Sequence, residues 1–197
     1  MGMTVTSVKY IEQARCALNM PYQGLRMCEF GNQHMRAGIN TPFRTAKQYY
    51  ENLGVIHTSI DINGKDGALN FNLSKSPIDI KPEFNRQFDL ITDSGMIQCV
   101  DSQYWAFKNA HDIVKINGII MHALPLIGYW PGPNKYRYEC SFFNSLAEKN
   151  SYIVIVNTIE DDCKLVYSLL RVRNNRPFIS EAEFANLPGL HIKAGRQ

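Results

Sequence analysis

The stretch that decides the fold runs from Leu25 to Asp61, and an apolar run lies at each of its ends. The first run, Leu25-Arg26-Met27-Cys28-Glu29-Phe30, meets Gly31, and the second, Val55-Ile56-His57-Thr58-Ser59-Ile60, ends in Asp61. An acidic residue and a glycine at the end of one strand, followed by a carboxylate at the end of the next, suit a ribose-bearing cofactor in an open α/β sheet. Glycine lets the backbone approach the ligand, and the second carboxylate can accept hydrogen bonds from both ribose hydroxyls.

The loop after Gly31 distinguishes between two kinds of cofactor. A dinucleotide needs a glycine-lined turn at a helix N-terminus, because its pyrophosphate sits against bare backbone N–H groups. The sequence Gly31-Asn32-Gln33-His34-Met35-Arg36 lacks the second and third glycines of that pattern. Pyrophosphate binding, and with it an NAD-dependent oxidoreductase, is therefore disfavoured.

The same loop resembles a loose form of the E-x-G-x-G motif of class I S-adenosylmethionine-dependent methyltransferases. Glu29 and Gly31 match the motif, and Gln33 stands where its second glycine is usual. S-adenosylmethionine has adenosine but no phosphate, and its ammonium and sulfonium favour a nearby carboxylate such as Glu29. The resemblance implies S-adenosyl-L-methionine as the cofactor.

Length and charge limit the function classes. A chain of 197 residues fits one domain, 1–197, in which we take 1–24 as an N-terminal helical extension. The net charge of +3 is mild, and the arginines at 171, 173 and 176 are interpreted as a solvated surface, so nucleic acid is not expected as a partner. No long apolar span and no signal-peptide pattern occur, so neither membrane insertion nor export is expected.

The cysteines indicate a reducing environment. The five of them, at positions 16, 28, 99, 140 and 163, form no C-x-x-C pair. Neither a metal site nor a disulfide framework is therefore predicted, and a cytoplasmic location fits best.

Strand and helix candidates alternate along the chain, which indicates βαβ units and a largely parallel sheet. The predicted helices are 5–18, 45–53, 102–116 and 141–149, and the predicted strands are 25–30, 55–61, 68–73, 88–93, 119–124, 152–159 and 164–172. The turn Glu160-Asp161-Asp162 is too short for a crossover helix, so the last two strands should pair antiparallel. We predict an α/β fold with a doubly wound, mostly parallel seven-stranded sheet and a C-terminal antiparallel hairpin.

This layout is similar to the class I methyltransferase fold over roughly residues 25–172. Phe88-Asp89-Leu90-Ile91 looks like the family's "FDLI" fourth strand, and Lys115-Ile116-Asn117-Gly118 looks like the "L-K-x-G-G" entry to its fifth. Nucleic-acid amino-methyltransferases carry an (Asn/Asp)-Pro-Pro-(Tyr/Phe) run after the fourth strand, where this chain has Asp93-Ser94-Gly95-Met96. The resemblance therefore implies methylation of a small-molecule substrate, on oxygen or nitrogen.

In doubly wound sheets, ligands bind beyond the carboxyl ends of the strands, so polar residues at such ends are site candidates. We assign Glu29, Gly31 and Asp61 to cofactor binding. By the resemblance, Asn72 lies near the adenine ring, and Asp93 contacts the substrate or the methionine ammonium. Each has a structural alternative: Asn72 as a turn former, and Asp93 as a helix cap.

Three further residues are candidates for acting on the acceptor. His122 lies near the end of a strand expected to be buried, where an imidazole is either hydrogen-bonded for structure or a general base. Tyr129 and Trp130 lie in the aromatic loop 128–136, which is either a packed loop or the wall of a substrate pocket. Together with Asp93, His122 is our predicted catalytic residue.

The sequence predicts an S-adenosylmethionine-dependent methyltransferase. Methyl transfer from a sulfonium is an in-line displacement that depends on orientation and desolvation, so no fixed catalytic triad is required. A non-catalytic methyltransferase-like binding protein is the alternative, because Gln33 departs from the motif. The acceptor and the oligomeric state are not predicted.

Overall fold

The structure is built around one main sheet with helices on both faces. The computed structural model describes residues 2–79, 81–129 and 135–192. The helices are α1 (Val5–Leu18), α2 (Ala46–Asn52), α3 (Gln103–Ile113), α4 (Cys140–Asn150) and α5 (Glu181–Ala185). The strands are β1 (Arg26–Phe30), β2 (Ile56–Asp61), β3 (Leu69–Asn70), β4 (Phe88–Asp93), β5 (Val114–Pro125), β6 (Tyr136–Tyr138), β7 (Ile153–Glu160), β8 (Leu165–Arg171) and β9 (Leu190–Ile192).

The main sheet has seven strands in the order β3-β2-β1-β4-β5-β8-β7. Strands β1 to β5 run parallel, and β8 pairs antiparallel with both β5 and β7. The predicted doubly wound sheet with a C-terminal antiparallel hairpin is confirmed. Strand order reverses between β1 and β4, where Phe30 pairs with Asp93, and this is the point at which such sheets bind ligands.

Local signals set the helix bounds. The Thr4 side chain accepts from the backbone of Ser7 at the start of α1, and Asn19 ends that helix in the left-handed conformation. Thr45 and Gln48 form a capping box at the start of α2. Because these signals are local, the predicted bounds of α1 match the observed ones.

The sheet separates two buried clusters. On one face, the strand residues Ile91 and Ile120 pack with Phe107 and Phe142 of α3 and α4. On the other face, strand residues such as Met121 pack with residues of α1 and α2. Side chains alternate between faces along a strand, so Glu29 and Ala123 belong to the α1 side and His122 to the α3 side.

The end of α3 differs from the prediction. The helix stops at Ile113 rather than at residue 116, and β5 begins directly at Val114. Arg86 donates hydrogen bonds to the carbonyls of His111 and Val114, which ends the helix. The strand register between β4 and β5 then shifts, and a Cβ on Gly118 would lie 2.9 Å from the Asp89 carbonyl oxygen. Asn117-Gly118 is therefore a bulge within the strand and not a helix stop.

Two other elements differ from the prediction. The third strand is only Leu69–Asn70, so Asn72 lies beyond its end. Strands β6 and β9 form a separate antiparallel pair that was not predicted, because the two short segments are far apart in the sequence. No helix among the described residues is long and apolar enough to cross a membrane.

Candidate functional site

The candidate site lies at the carboxyl ends of β1, β2 and β4. The N-terminal segment covers part of this edge, because Met3 donates its backbone N–H to His34 O at 2.9 Å and accepts from Arg36 N at 2.9 Å. The Met3 sulfur lies 4.0 Å from the hydroxyl of Ser94, directly after β4. The segment 32–44 therefore connects the N-terminal segment to the site.

Glu29 is a buried carboxylate with unused hydrogen-bonding capacity. Its side chain is 1% exposed, and Oε2 accepts from Gln33 N at 3.3 Å and from the Ser59 hydroxyl at 3.5 Å. Its Oε1 is buried and has no hydrogen-bond partner in the part of the chain that the structure describes. Burial raises the pKa of Glu29 from 4.5 to about 8, so the carboxyl is protonated at neutral pH until a cation approaches.

Gly31 and Gln33 form the turn after β1. Gly31 has φ +95° and donates its N–H to Ile60 O at 2.7 Å. A Cβ on Gly31 would lie 2.5 Å from Nε2 of Gln33, so the Gln33 side chain covers the glycine. The amide oxygen of Gln33 is buried and unpartnered. Gln33, which stands at the motif's second glycine position, therefore fills the space above Gly31, the motif's first glycine.

Asp61 is half-buried and binds the backbone on both sides of the site. One carboxylate oxygen accepts from Asn32 N at 2.8 Å, and the other accepts from Asn63 N at 2.9 Å. Each oxygen has a second lone pair that these bonds leave open. The carboxylate thus joins the turn after β1 to the turn after β2.

Asp93 and His122 form a buried pair across neighbouring strands. Asp93 Oδ2 lies 3.2 Å from His122 Nδ1, and Asp93 Oδ1 accepts from the backbone of Met96 at 2.7 Å and of Ile97 at 3.2 Å. Asp93 is therefore a cap for the turn after β4, the alternative left open by the sequence. The His122 ring lies between the aromatic rings of α3 and α4, with Phe107 at 4.9 Å.

The other predicted residues have different surroundings. Asn72 is exposed, and its Oδ1 accepts from Ser74 N at 2.9 Å, as in a turn former. Tyr129 is 61% exposed, beneath the ammonium of Lys164 at 5.0 Å. Trp130 lies outside the described residues, so its predicted substrate contact stays a prediction.

A mainly apolar pocket of about 270 Å³ lies at the same edge of the sheet. Its lining comes from five separate parts of the chain, namely Gly2, Thr4 and Ser7, then Arg36, then Ser94, then Ala123, then Cys163 and Leu165. Ala123 points to the α1 side of the sheet, and His122 points to the opposite side. His122 therefore does not line the pocket, and its predicted role as a base stays a prediction.

Sequence reasoning missed all of the pocket-lining residues. Apart from Arg36, they are small, apolar, thiol-bearing or hydroxyl-bearing residues without a motif, and only the fold brings them together. The serine of Asp93-Ser94-Gly95 was the one available signal, because it follows a strand end at the switch point. Ser94 is 3% exposed and lines the pocket.

Two buried histidines have different environments. His111 Nδ1 lies 2.6 Å from the Tyr152 hydroxyl, and Nε2 lies 2.9 Å from the Arg176 carbonyl oxygen, which can only accept. Burial lowers the pKa of His111 to about 4. His111 is therefore a hydrogen-bonded residue of the core. His57 is 7% exposed, has no partner for either nitrogen, and its pKa is lowered by burial to about 3.

Solved structures share this architecture. A Burkholderia thailandensis 1,6-didemethyltoxoflavin-N1-methyltransferase, with bound 1,6-didemethyltoxoflavin and S-adenosylhomocysteine, is 13% identical, with 86% of this chain and 82% of that chain covered and a TM-score of 0.53. The chain has the class I methyltransferase fold. No protein-family model and no curated protein matches the sequence.

Two further structures with the class I methyltransferase fold are similar. The MycE methyltransferase from the mycinamycin biosynthetic pathway, in complex with Mg, S-adenosylhomocysteine and mycinamycin VI, is 15% identical over 89% of this chain, with a TM-score of 0.54. This chain spans only 51% of MycE. A structure of the Haloferax volcanii Trm112 methyltransferase activator with a methyltransferase is 10% identical, with 85% and 92% of the two chains covered and a TM-score of 0.53.

Proposed function

We propose that the protein is an S-adenosylmethionine-dependent methyltransferase that acts on a small-molecule acceptor. The observation that carries the proposal is the combination of Glu29 and the apolar pocket on one side of this sheet. Glu29 offers a buried, unpartnered oxygen at the end of β1, and the pocket opens beyond β4 and β5. Apolar pockets with a few polar groups are typical of small-molecule sites.

The residues present fit the cofactor in three respects. The unpartnered oxygen of Glu29 is an acceptor for an ammonium group, which supplies three donors. The free lone pairs of Asp61 suit the two ribose hydroxyls. Asn72 keeps its side-chain N–H groups for the adenine ring, since its Oδ1 is the atom used in the turn.

The pocket and the carboxyl end of β4 would carry the transfer itself. The bound cofactor supplies an electrophilic methyl group on sulfur. Ser94 and Ala123 would hold the acceptor against that end of the sheet, and the apolar lining would exclude water from the reacting atoms. Asp93 keeps the turn that contains Ser94 in position through its two backbone hydrogen bonds, and His122 orients Asp93.

Ligand-dependent melting tests the cofactor assignment. S-adenosylhomocysteine should raise the melting temperature of the full chain, whereas NAD should leave it unchanged, because a ligand that binds only the folded state stabilises it by mass action. Equal stabilisation by NAD, or none by S-adenosylhomocysteine, would refute the assignment.

A non-catalytic S-adenosylmethionine-binding protein is the second candidate. The observation that favours it is Gln33, whose side chain lies over Gly31 in the cofactor loop. Transfer of a radiolabelled methyl group to a panel of small acceptors separates the two candidates. A protein that binds S-adenosylhomocysteine but methylates none of them would support the binding function.

A further inference from the structure

We propose that the pocket accepts a small apolar molecule with a carboxylate, and that Arg36 binds this carboxylate. The inference specifies the acceptor class of the proposed methyltransferase and so rests on that function. The charges around the pocket favour an anion. Among the eight lining residues that the structure describes, Arg36 is the one cation, and none is acidic.

Arg36 is available for a ligand. Its side chain is exposed, and it makes no ion pair or side-chain hydrogen bond with the described residues. A Cβ on Gly2 would lie 2.5 Å from Nε of Arg36, so the guanidinium group lies directly against the backbone of the N-terminal segment. Because a guanidinium presents a planar set of N–H donors, it binds a carboxylate through two parallel hydrogen bonds.

The N-terminus of α1 contributes to the same side of the pocket. Thr4 and Ser7 line the pocket, and α1 has no acidic residue in its first turn. The positive end of the helix dipole is therefore not neutralised by its own side chains. It adds to the preference for an anion that Arg36 establishes.

A chain of hydroxyl groups gives the pocket neutral hydrogen-bonding positions. The Thr4 and Ser7 hydroxyls are 3.0 Å apart, and the Ser7 hydroxyl lies 3.2 Å from the hydroxyl of the buried Tyr167. The remaining lining includes Ala123 and Leu165, which favour an apolar body. A volume of about 270 Å³ suits a molecule with a single ring.

Matched acids and amides test the proposal. Benzoate, 4-hydroxybenzoate and phenylacetate would each be titrated into the ¹⁵N-labelled full chain beside the corresponding neutral amides. We expect each acid that binds to do so about tenfold or more tightly than its amide, because a charge-assisted hydrogen bond contributes about 1.5 to 3 kcal/mol. The amide signals of Ser94 and Cys163 should shift.

The variant Arg36→Gln should remove the preference for the acid, and Arg44→Gln is the matched control. Arg44 is an exposed arginine of the same segment that does not line the pocket. Equal affinities of acid and amide for the natural sequence, a preference that survives Arg36→Gln, or no binding by any of the acids would overturn the proposal.

The outcome is independent of the cofactor test. Acid selectivity without any binding of S-adenosylhomocysteine would keep the anion pocket and reject the methyltransferase. Binding of S-adenosylhomocysteine without acid selectivity would reject only the acceptor class.

Discussion

Replacing Glu29 with glutamine should make the folded protein more stable than the natural sequence, and this difference should grow as the pH rises. The folded-state pKa of about 8 lies above the ordinary value of 4.5, so the folded protein holds the proton more tightly than the unfolded chain. Glu29 therefore favours folding at low pH, and the free energy of unfolding falls as the pH rises from about 4.5 to about 8. The variant has no such ionisation.

The size of the effect follows from the pKa. At 1.36 kcal/mol for each pKa unit, the shift lowers the free energy of unfolding of the natural sequence, relative to its value at low pH, by about 3 kcal/mol at pH 7 and about 5 kcal/mol above pH 8. Both figures are upper bounds on the difference between Glu29→Gln and the natural sequence. Below about pH 4.5 the difference due to ionisation should vanish.

Urea unfolding of the natural sequence and of Glu29→Gln, at about pH 5, about pH 7 and about pH 8.5, measures this difference. Glu148→Gln is the control, because Glu148 is exposed on α4 and makes no ion pair with the described residues. A stability difference that is independent of pH, or a variant that is less stable than the natural sequence at about pH 8.5, would refute the reasoning.

The same carboxyl couples cofactor binding to a proton. Since an ammonium near Glu29 favours the charged form, binding of S-adenosylhomocysteine at about pH 7 should release up to one proton. Calorimetry in buffers with different ionisation enthalpies measures that release. In Glu29→Gln the release should disappear and the affinity should fall about tenfold or more.

Three further substitutions test the cofactor loop and the strand ends. Gln33→Gly should strengthen binding of S-adenosylhomocysteine in calorimetry, because it removes the side chain that covers Gly31; weaker binding would mean that Gln33 contacts the cofactor. Asp61→Ala should weaken that binding about tenfold to a hundredfold while circular dichroism shows a folded chain; normal affinity with lower stability would make Asp61 a turn cap only. His122→Asn should leave the binding intact, because His122 does not line the pocket, and should lower turnover of an identified acceptor only through the lost hydrogen bond to Asp93; a fall of ~10²-fold would instead support the general base predicted from the sequence, and unchanged turnover would make His122 a core residue only.

The sequence predicts elements whose signals are local. The bounds of α1 follow from Thr4 and Asn19 at its ends, and β4 has the predicted bounds because it is a continuous apolar run before the turn at Ser94. The start of β5 could not be predicted, since it depends on Arg86, which is distant in sequence and binds the carbonyls at the end of α3.

The candidate site could be predicted only in part. Glu29 and Asp61 lie at strand ends and Gly31 directly follows one, so the pattern of strands locates them at one edge of the sheet. The environment of Asp93 could not be predicted, because its partners are a histidine on the next strand and two backbone groups of its own turn. The pocket needs segments from both ends of the chain, which no local pattern connects.

The separation of the two faces of the sheet has a consequence for sequence variation. The aromatic cluster around Phe107 and Phe142 packs on one face, while Glu29 and Ala123 belong to the other. Substitutions in the aromatic cluster can compensate one another without altering the residues proposed to bind ligands. In natural variants of this chain, the residues of the aromatic side should therefore change together and independently of the proposed ligand-binding residues. The Asp93–His122 pair is the hydrogen-bonded link between that side and the end of β4.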